Sequence, residues 1–303
     1  MKKIVVIGSL NMDCVIETPY MPHAGETISG RSVSLIPGGK GANQAYAVGI
    51  LGGNVAMIGA VGDDSFGETL KSSLDHVSVD TSSIPVIPGE TTGQAFITVD
   101  DQGENAIIII AGTNGMVKKE LVQKYQKQIE DSDIVIMQLE IPLETVQYVK
   151  KLAVSLGKTV ILDPAPAIGN LPEGFFADVD YIKPNETELE ILTGTKMETQ
   201  EELAAGARKL LSQGVKNVIV SLGEKGCLLV SEKEEKFFPA RKVKAVDTTA
   251  AGDSFTAAFA LALSEGKSCH EAIRFGQKVS SVAVTRKGAQ TSIPTREEVD
   301  GLQ

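Results

Sequence analysis

The chain has 303 residues, of which 42% are hydrophobic and 22% charged, a balance that fits a folded protein with a large core rather than a disordered or fibrous one. Its net charge of −10, without a Lys/Arg block or any Trp, excludes the basic face that a nucleic-acid partner requires. No apolar run approaches the ~18 residues of a membrane span, so no membrane partner is expected.

Met1-Lys2-Lys3 leads straight into an apolar β-rich run, Ile4–Ile7, without the longer apolar stretch of a secretory signal. Cys14–Ile36 then breaks the rhythm, with Pro19, Pro22 and Gly25 among alternating segments. A helix is predicted over Gly41–Leu51, a strand over Val55–Ala60 and a helix over Phe66–His76. Gly93–Ile110 reads as a hairpin turning at Asp101-Gln102-Gly103. Next come a helix over Lys118–Glu130, a strand over Ile134–Gln138, a helix over Leu143–Leu156 and strands over Thr159–Asp163 and Tyr181–Lys183. A helix over Thr199–Gln213, a strand over Val218–Leu222 and a helix over Gly252–Ser264 follow, and a helix of about 18 residues is predicted from Cys269. Strand–helix alternation with near-continuously apolar strands implies a mainly parallel sheet covered on both faces. Such sheets gather ligands at the C-terminal ends of their strands. The two irregular stretches suggest a small β-sheet, about 13–36 and 93–110, set on the main layer as a lid, or an extra edge hairpin of the main sheet. Cys14, Cys227 and Cys269 lie far apart and read as reduced thiols of a cytoplasmic protein. His23, His76 and His270 have no spacing of a metal site or a triad.

Two motifs carry chemistry. Asp247-Thr248-Thr249-Ala250-Ala251-Gly252-Asp253-Ser254 stands just before apolar positions at helical spacing. Small residues at a helix start let backbone N–H groups converge on an anion, and the helix dipole adds partial positive charge. A carboxylate there, Asp253, either caps the helix or takes a proton from a hydroxyl attacking a phosphoryl group. Gly38-Gly39-Lys40-Gly41-Ala42-Asn43-Gln44-Ala45 lets backbone approach a ligand closely, with Lys40 and Asn43 as polar contacts. A Walker A loop is excluded: Gly157-Lys158-Thr159 and Gly266-Lys267-Ser268 carry its tail, but Leu152 and Leu261 fill its glycine positions. No G-x-G-x-x-G follows the first strand either.

These two motifs, in this order, resemble the signatures of the ribokinase-like (PfkB) carbohydrate kinases. The resemblance continues through Ile7–Asp13, Gly62–Gly67, Gln138–Glu140, Pro184–Glu188, Ser221–Gly223 and Thr285–Gln290, and so covers nearly the whole chain. It implies a single three-layer α/β/α domain over 1–303, its central sheet mainly parallel, with a small β lid. It further implies an ATP-dependent sugar kinase that phosphorylates the 5-hydroxyl of D-ribose, leaving a 2-deoxyribose, other sugar or nucleoside kinase as alternatives. A non-catalytic sugar or nucleotide sensor is the alternative of another class.

The resemblance also assigns roles. Asn11, Asp13, Gly39, Lys40, Asn43 and Glu140 correspond to the sugar-binding set, and paired carboxylates and amides suit a polyol. Asp253 corresponds to the general base, with Ala250, Ala251 and Gly252 as the anion hole. Asn185, Ser221, Gly223, Gly226, Gly252 and Gln277 correspond to the nucleotide set. Glu188 would support Mg²⁺, by way of water. Asp247, Thr249, Ala283, Arg286, Gly288 and Ser292 would hold a monovalent cation, expected to be K⁺, several of them through backbone carbonyls. A homodimer formed through the lid is implied as well.

Overall fold

A computed structural model describes residues 2–302. The chain begins in the middle of a nine-stranded sheet and builds outward in both directions from Ile4–Ile7. On one side lie Val55–Ile58 and then Asp80–Ser83. On the other lie Ile134–Met137, Thr159–Leu162, Tyr181–Ile182 and Asn217–Ser221, every neighbour so far being parallel. Two antiparallel strands, Gly226–Ser231 and Glu235–Pro239, close that edge. Strand order therefore reverses at Ile4–Ile7, the point at which such sheets open a ligand crevice.

Residues 4–7 are all fully buried because both sheet faces are covered. Ile4 and Val6 pack with Ala45, Val48, Phe259 and Val279 from the helices Lys40–Ile50, Ala251–Ser264 and Cys269–Ala283. Val5 and Ile7 face the opposite way, toward Val122, Val149, Ala153, Leu203 and Leu210. This two-residue alternation between two cores makes the three layers.

A separate four-stranded sheet runs Ser32–Gly38, Asn11–Glu17, Gly93–Val99, Asn105–Ile110. It begins and ends two residues outside the expected 13–36 span, so only three residues separate Ile7 from it. It is thus a sheet of its own and not an edge hairpin of the main one. Its two edge strands leave Val33 and Leu35, and Ile107 and Ile108, more than half exposed.

Other expectations are corrected. The helix expected over 118–130 is two short helices, Lys119–Lys124 and Gln126–Glu130, because Tyr125 leaves helical geometry (φ −112°, ψ 16°). The helix from Cys269 stops after 15 residues, where the Val284 carbonyl turns to accept from the Val246 and Asp247 N–H groups. The helix Glu186–Thr193 and the antiparallel edge pair were not anticipated. Among the described residues, no helix is long and apolar enough to cross a membrane.

Candidate active site

Nearly every group of interest stands just past the C-terminal end of a parallel strand. Asn11 and Asp13 follow Ile4–Ile7, Glu140 follows Ile134–Met137, and Asp163 follows Thr159–Leu162. Asn185 and Glu188 follow Tyr181–Ile182, and Gly223 follows Asn217–Ser221. Two helices deliver the rest. Lys40–Ile50 carries Lys40, Asn43 and Gln44, and Ala251–Ser264 carries Gly252 and Asp253.

Gly39 makes the first delivery possible. It has φ 87°, and a Cβ there would stand 2.6 Å from the Asn11 backbone nitrogen. Only glycine permits both the conformation and the approach. Beyond it the Lys40 N–H donates to Glu140 Oε2 at 3.1 Å, and the same carboxylate accepts from the Ser9 hydroxyl. Burial pushes the Asp13 carboxyl up to about 7, helped by the charges of Glu140 and Asp253 and opposed by Lys40. Burial likewise raises Glu140, against the pull of Lys40 and the Ser9 hydrogen bond. For Lys40 burial acts to lower the pKa, but the carboxylates of Asp253, Asp163, Glu140 and Glu188 outweigh it and hold the ammonium above its ordinary range.

Asp253 is buried at the N-terminus of its helix. Asn43 Nδ2 donates to its Oδ2 at 2.9 Å and Gln44 Nε2 to its Oδ1 at 3.2 Å. Burial raises its pKa and Asp163 adds to this, while Lys40 and the two amides favour the ionised form. Ala250, the residue before the helix, is left-handed (φ 58°), which turns the chain so that the helix start faces the crevice. The Ala251 N–H is engaged by the Thr248 carbonyl. Those of Gly252 and Asp253 have no main-chain partner among the described residues, an arrangement able to take an anion.

A cavity of about 1190 Å³ opens from Asp253 and Lys40. It is lined by Asn185, Ser221, Gly223, Gly226, Gly252 and Gln277, the whole expected nucleotide set, and also by Glu188, Arg241 and Lys242. Asn185 and Glu188 form a reciprocal helix cap, each side chain accepting from the other's backbone N–H (2.7 and 2.9 Å). Gln277 donates to the Phe238 carbonyl at 2.9 Å, which fixes its place on the cavity wall.

Three buried groups escaped the sequence reading. Gln44 spans Asp163 (2.9 Å) and Asp253, and its own carbonyl accepts from Gln138 at 2.6 Å. Asp163 pairs with Lys183 at 3.6 Å, and its Oδ1 has no partner. Lys183 Nζ lies 3.3 Å from where a Cβ on Gly252 would stand, beside the helix start. Gln44 sat inside the quoted glycine motif, and Asp163 at the end of a predicted strand. Position on a strand end was the only signal available for Asp163.

Of the expected monovalent-cation residues, Asp247, Thr249 and Gly288 meet directly. Asp247 Oδ1 accepts from the Thr249 N–H (2.9 Å) and hydroxyl (2.6 Å), and Oδ2 accepts from the Gly288 N–H (2.9 Å). Burial works to raise Asp247, but these hydrogen bonds overcome it and hold the carboxyl below its ordinary range. The Arg286 guanidinium is turned away to Glu298, so only its backbone is available to the loop. Ala283 ends its helix there, and the Ser292 hydroxyl donates to the Ala289 carbonyl at 2.7 Å. Cys269, at its helix start, is pushed up to about 11 by burial and is no activated thiol.

Residues 1–296 match the model of the pfkB family carbohydrate kinases. A ribokinase of Haemophilus influenzae is 42% identical, the match covering 98% of this chain and 97% of that one. A deoxyribokinase of Salmonella typhimurium is 36% identical over 97% and 96% of the two chains. The structure of Arabidopsis thaliana ribokinase complexed with ribose and ATP superposes with a TM-score of 0.93 at 36% identity, covering 98% of this chain and 97% of that one.

Proposed function

The chain belongs to the pfkB family of carbohydrate kinases, and on that footing we propose that it transfers the γ-phosphoryl group of ATP to the 5-hydroxyl of D-ribose. The observation that carries this reading is the placement of Asp253, buried between the Asn11–Asp13–Glu140 group and the cavity, with both carboxylate oxygens oriented by Asn43 and Gln44.

Ribose enters on the Asn11, Asp13, Gly39, Lys40, Asn43 and Glu140 side, where carboxylates and amides hold pairs of hydroxyls. ATP lies along Asn185, Ser221, Gly223, Gly226 and Gln277, its terminal phosphate reaching the helix start at Ala250–Gly252. Asp253 takes the proton of the attacking hydroxyl as the bond to phosphorus forms, and the free N–H groups of Gly252 and Asp253 stabilise the charge on the transferring group. Lys183 and Lys40 flank that charge from either side.

Hard oxygen donors suit Mg²⁺ held largely through water, and the unpartnered Asp163 Oδ1 and the Glu188 carboxylate supply them at the phosphate end. When bound, the metal neutralises phosphate charge. Asp247 is held ionised against the Thr249 N–H and hydroxyl and the Gly288 N–H, and the main-chain oxygens of Thr249, Ala283, Arg286 and Gly288 with the Ser292 hydroxyl would complete its surroundings. This all-oxygen set suits a monovalent cation such as K⁺, which would stiffen the loop before Asp253. The four-stranded sheet serves as a lid of the single catalytic domain that excludes water from the phosphoryl group. Its exposed Ile107–Ile110 edge pairs with a second copy, which gives a cytoplasmic homodimer.

The test is ATP-dependent ADP release with ribose, 2-deoxyribose, fructose and adenosine, with and without K⁺. A ribose maximum raised by K⁺ supports substrate and cation site together. Preference for 2-deoxyribose keeps the mechanism and overturns the substrate, and no turnover with any acceptor leaves only a sensor.

A further inference from the structure

Three of the four connections between the main layer and the lid meet at one buried side chain. Asn114, in the turn Gly112–Met116, is 1% exposed and lies where the chain returns from the lid. Its Oδ1 accepts from the Leu10 N–H at 2.9 Å, and its Nδ2 donates to the Leu10 carbonyl at 3.0 Å. Backbone polarity thus decides which way this amide faces: an N–H meets only the oxygen, a carbonyl only the nitrogen. The second hydrogen on Nδ2 goes to Asn11 Oδ1 at 2.7 Å. Asn11 inherits its orientation from that bond. Its oxygen accepts from Asn114, the one hydrogen bond of the Asn11 side chain among the described residues, which leaves its Nδ2 without a partner there. Gly93, where the chain enters its lid strand, makes room for the pair. A Cβ there would stand 2.2 Å from Asn114 Nδ2 and 2.4 Å from Asn11 Oδ1.

We infer that Asn114 is a positioning residue for sugar recognition, fixing the Asn11 amide so that its Nδ2 donor rather than its oxygen is turned to the sugar. This rests on the reading of Asn11 as a sugar contact. The hydroxyl that meets Asn11 must accept, so its own proton is directed elsewhere. Asp13 lies two residues along the same strand and on the same face, as a carboxylate acceptor. An Asn11 amide free to flip would spend part of its time presenting oxygen to that hydroxyl and would leave its nitrogen facing Asn114. Orientation is thereby supplied before the sugar arrives.

The experiment is a double-mutant cycle in the full-length protein with Asn114→Ala, Asn11→Ala and both, read as KM for ribose, KM for ATP and kcat. Asn114→Ala is expected to raise KM for ribose about tenfold, the loss of one well-placed hydrogen bond, with KM for ATP within about twofold of the parent. In the Asn11→Ala background the same change adds nothing to KM for ribose. An equal rise in both backgrounds, or a matching rise in KM for ATP, overturns the inference and makes Asn114 a brace of the lid. If Asn11→Ala itself leaves KM for ribose unchanged, the sugar-site reading fails instead. Should Asn114→Ala not fold, Gly93→Ala pries at the same pair from the lid strand and is expected to raise KM for ribose selectively. An unchanged KM for ribose in a folded Gly93→Ala variant overturns the inference too.

Discussion

Replacing Asp253 by Asn isolates proton transfer from everything else this residue does. Its two oxygens each accept one amide, from Asn43 at 2.9 Å and Gln44 at 3.2 Å. An Asn side chain keeps the shape and one acceptor, so it retains the shorter contact by turning its own NH₂ toward Gln44. Gln44 Nε2 still has Asp163 at 2.9 Å, so the lost contact costs about 1 kcal/mol, the lower end for a buried hydrogen bond. Part of that is returned because a buried charge disappears, so the melting temperature is expected to move by only a few degrees. Turnover is expected to fall by about 10²- to 10⁴-fold, the contribution of a positioned base. ATP binding is expected to be retained or slightly tightened, since a negative charge beside the terminal phosphate has been removed. The assay pairs coupled ADP release for kcat with calorimetric titration of ATP in the presence of Mg²⁺. A kcat within about tenfold of the parent would remove Asp253 from the role of base. Loss of ATP binding with kcat would show instead that the substitution had collapsed the helix start.

Asp13 provides a pH test. Its carboxyl sits at about 7 before sugar binds, and sugar hydroxyls bind the ionised form, so KM for ribose should rise as pH falls through 7 and level off above it. Measuring KM from pH 6 to 8.5 checks this, and Asp13→Asn should flatten the profile. Asp163→Ala leaves the Lys183 ammonium buried without its carboxylate, and a fall of about 3–5 kcal/mol in unfolding free energy by denaturant titration is expected. Gly39→Ala combines φ 87° with a 2.6 Å contact to Asn11, so it should lower the melting temperature and raise KM for ribose together. Asp247→Asn should abolish stimulation by K⁺, assayed against tetramethylammonium at equal ionic strength, while KM for ribose stays unchanged.

What the sequence disclosed, and what it withheld, follows from how far each signal travels along the chain. The parallel strands other than Asp80–Ser83 were legible because their residues are apolar on both faces, a local property, whereas Asp80–Ser83 is polar and was missed. Glu235–Pro239 was missed because an edge strand buries little: Phe238 is 3% exposed, but Phe237 is 39% exposed. The helix predicted over 118–130 was broken by a single residue, Tyr125, whose backbone angles no composition reveals. At the site, Asp253 and Gly39 were legible because a helix start and a glycine cluster mark themselves. Asp163 and Asn114 were not. Each acts by contact with residues far away in sequence, Asp163 with Gln44 and Lys183, and Asn114 with Leu10 and Asn11. Their neighbours in the chain carry no trace of those partners.

The distribution of charge along the crevice explains how one site accepts both a neutral sugar and a polyanion. Asp13, Glu140 and Asp253 cluster at the end proposed for the sugar, where a polyol brings no charge and offers hydroxyls to every carboxylate. Burial is the largest cause raising all three, and repulsion among them adds to it, an electrostatic tension that hydroxyl donors relieve. At the end proposed for the nucleotide, Lys183, Arg241, Lys242 and the helix start at Gly252 face the cavity. Asp163 and Glu188 lie between the two ends, and burial and Asp163 raise the Glu188 carboxyl. Those two carboxylates would repel a triphosphate if they faced it directly. A divalent cation held by these carboxylates would offset that repulsion, so ATP should bind far more weakly when Mg²⁺ is removed by chelation. In Asp163→Asn that dependence on Mg²⁺ should be reduced, because the repulsion the metal offsets is smaller. Titrating ATP into both proteins with and without EDTA measures the difference, and an undiminished Mg²⁺ dependence in Asp163→Asn would place the metal's protein contacts elsewhere.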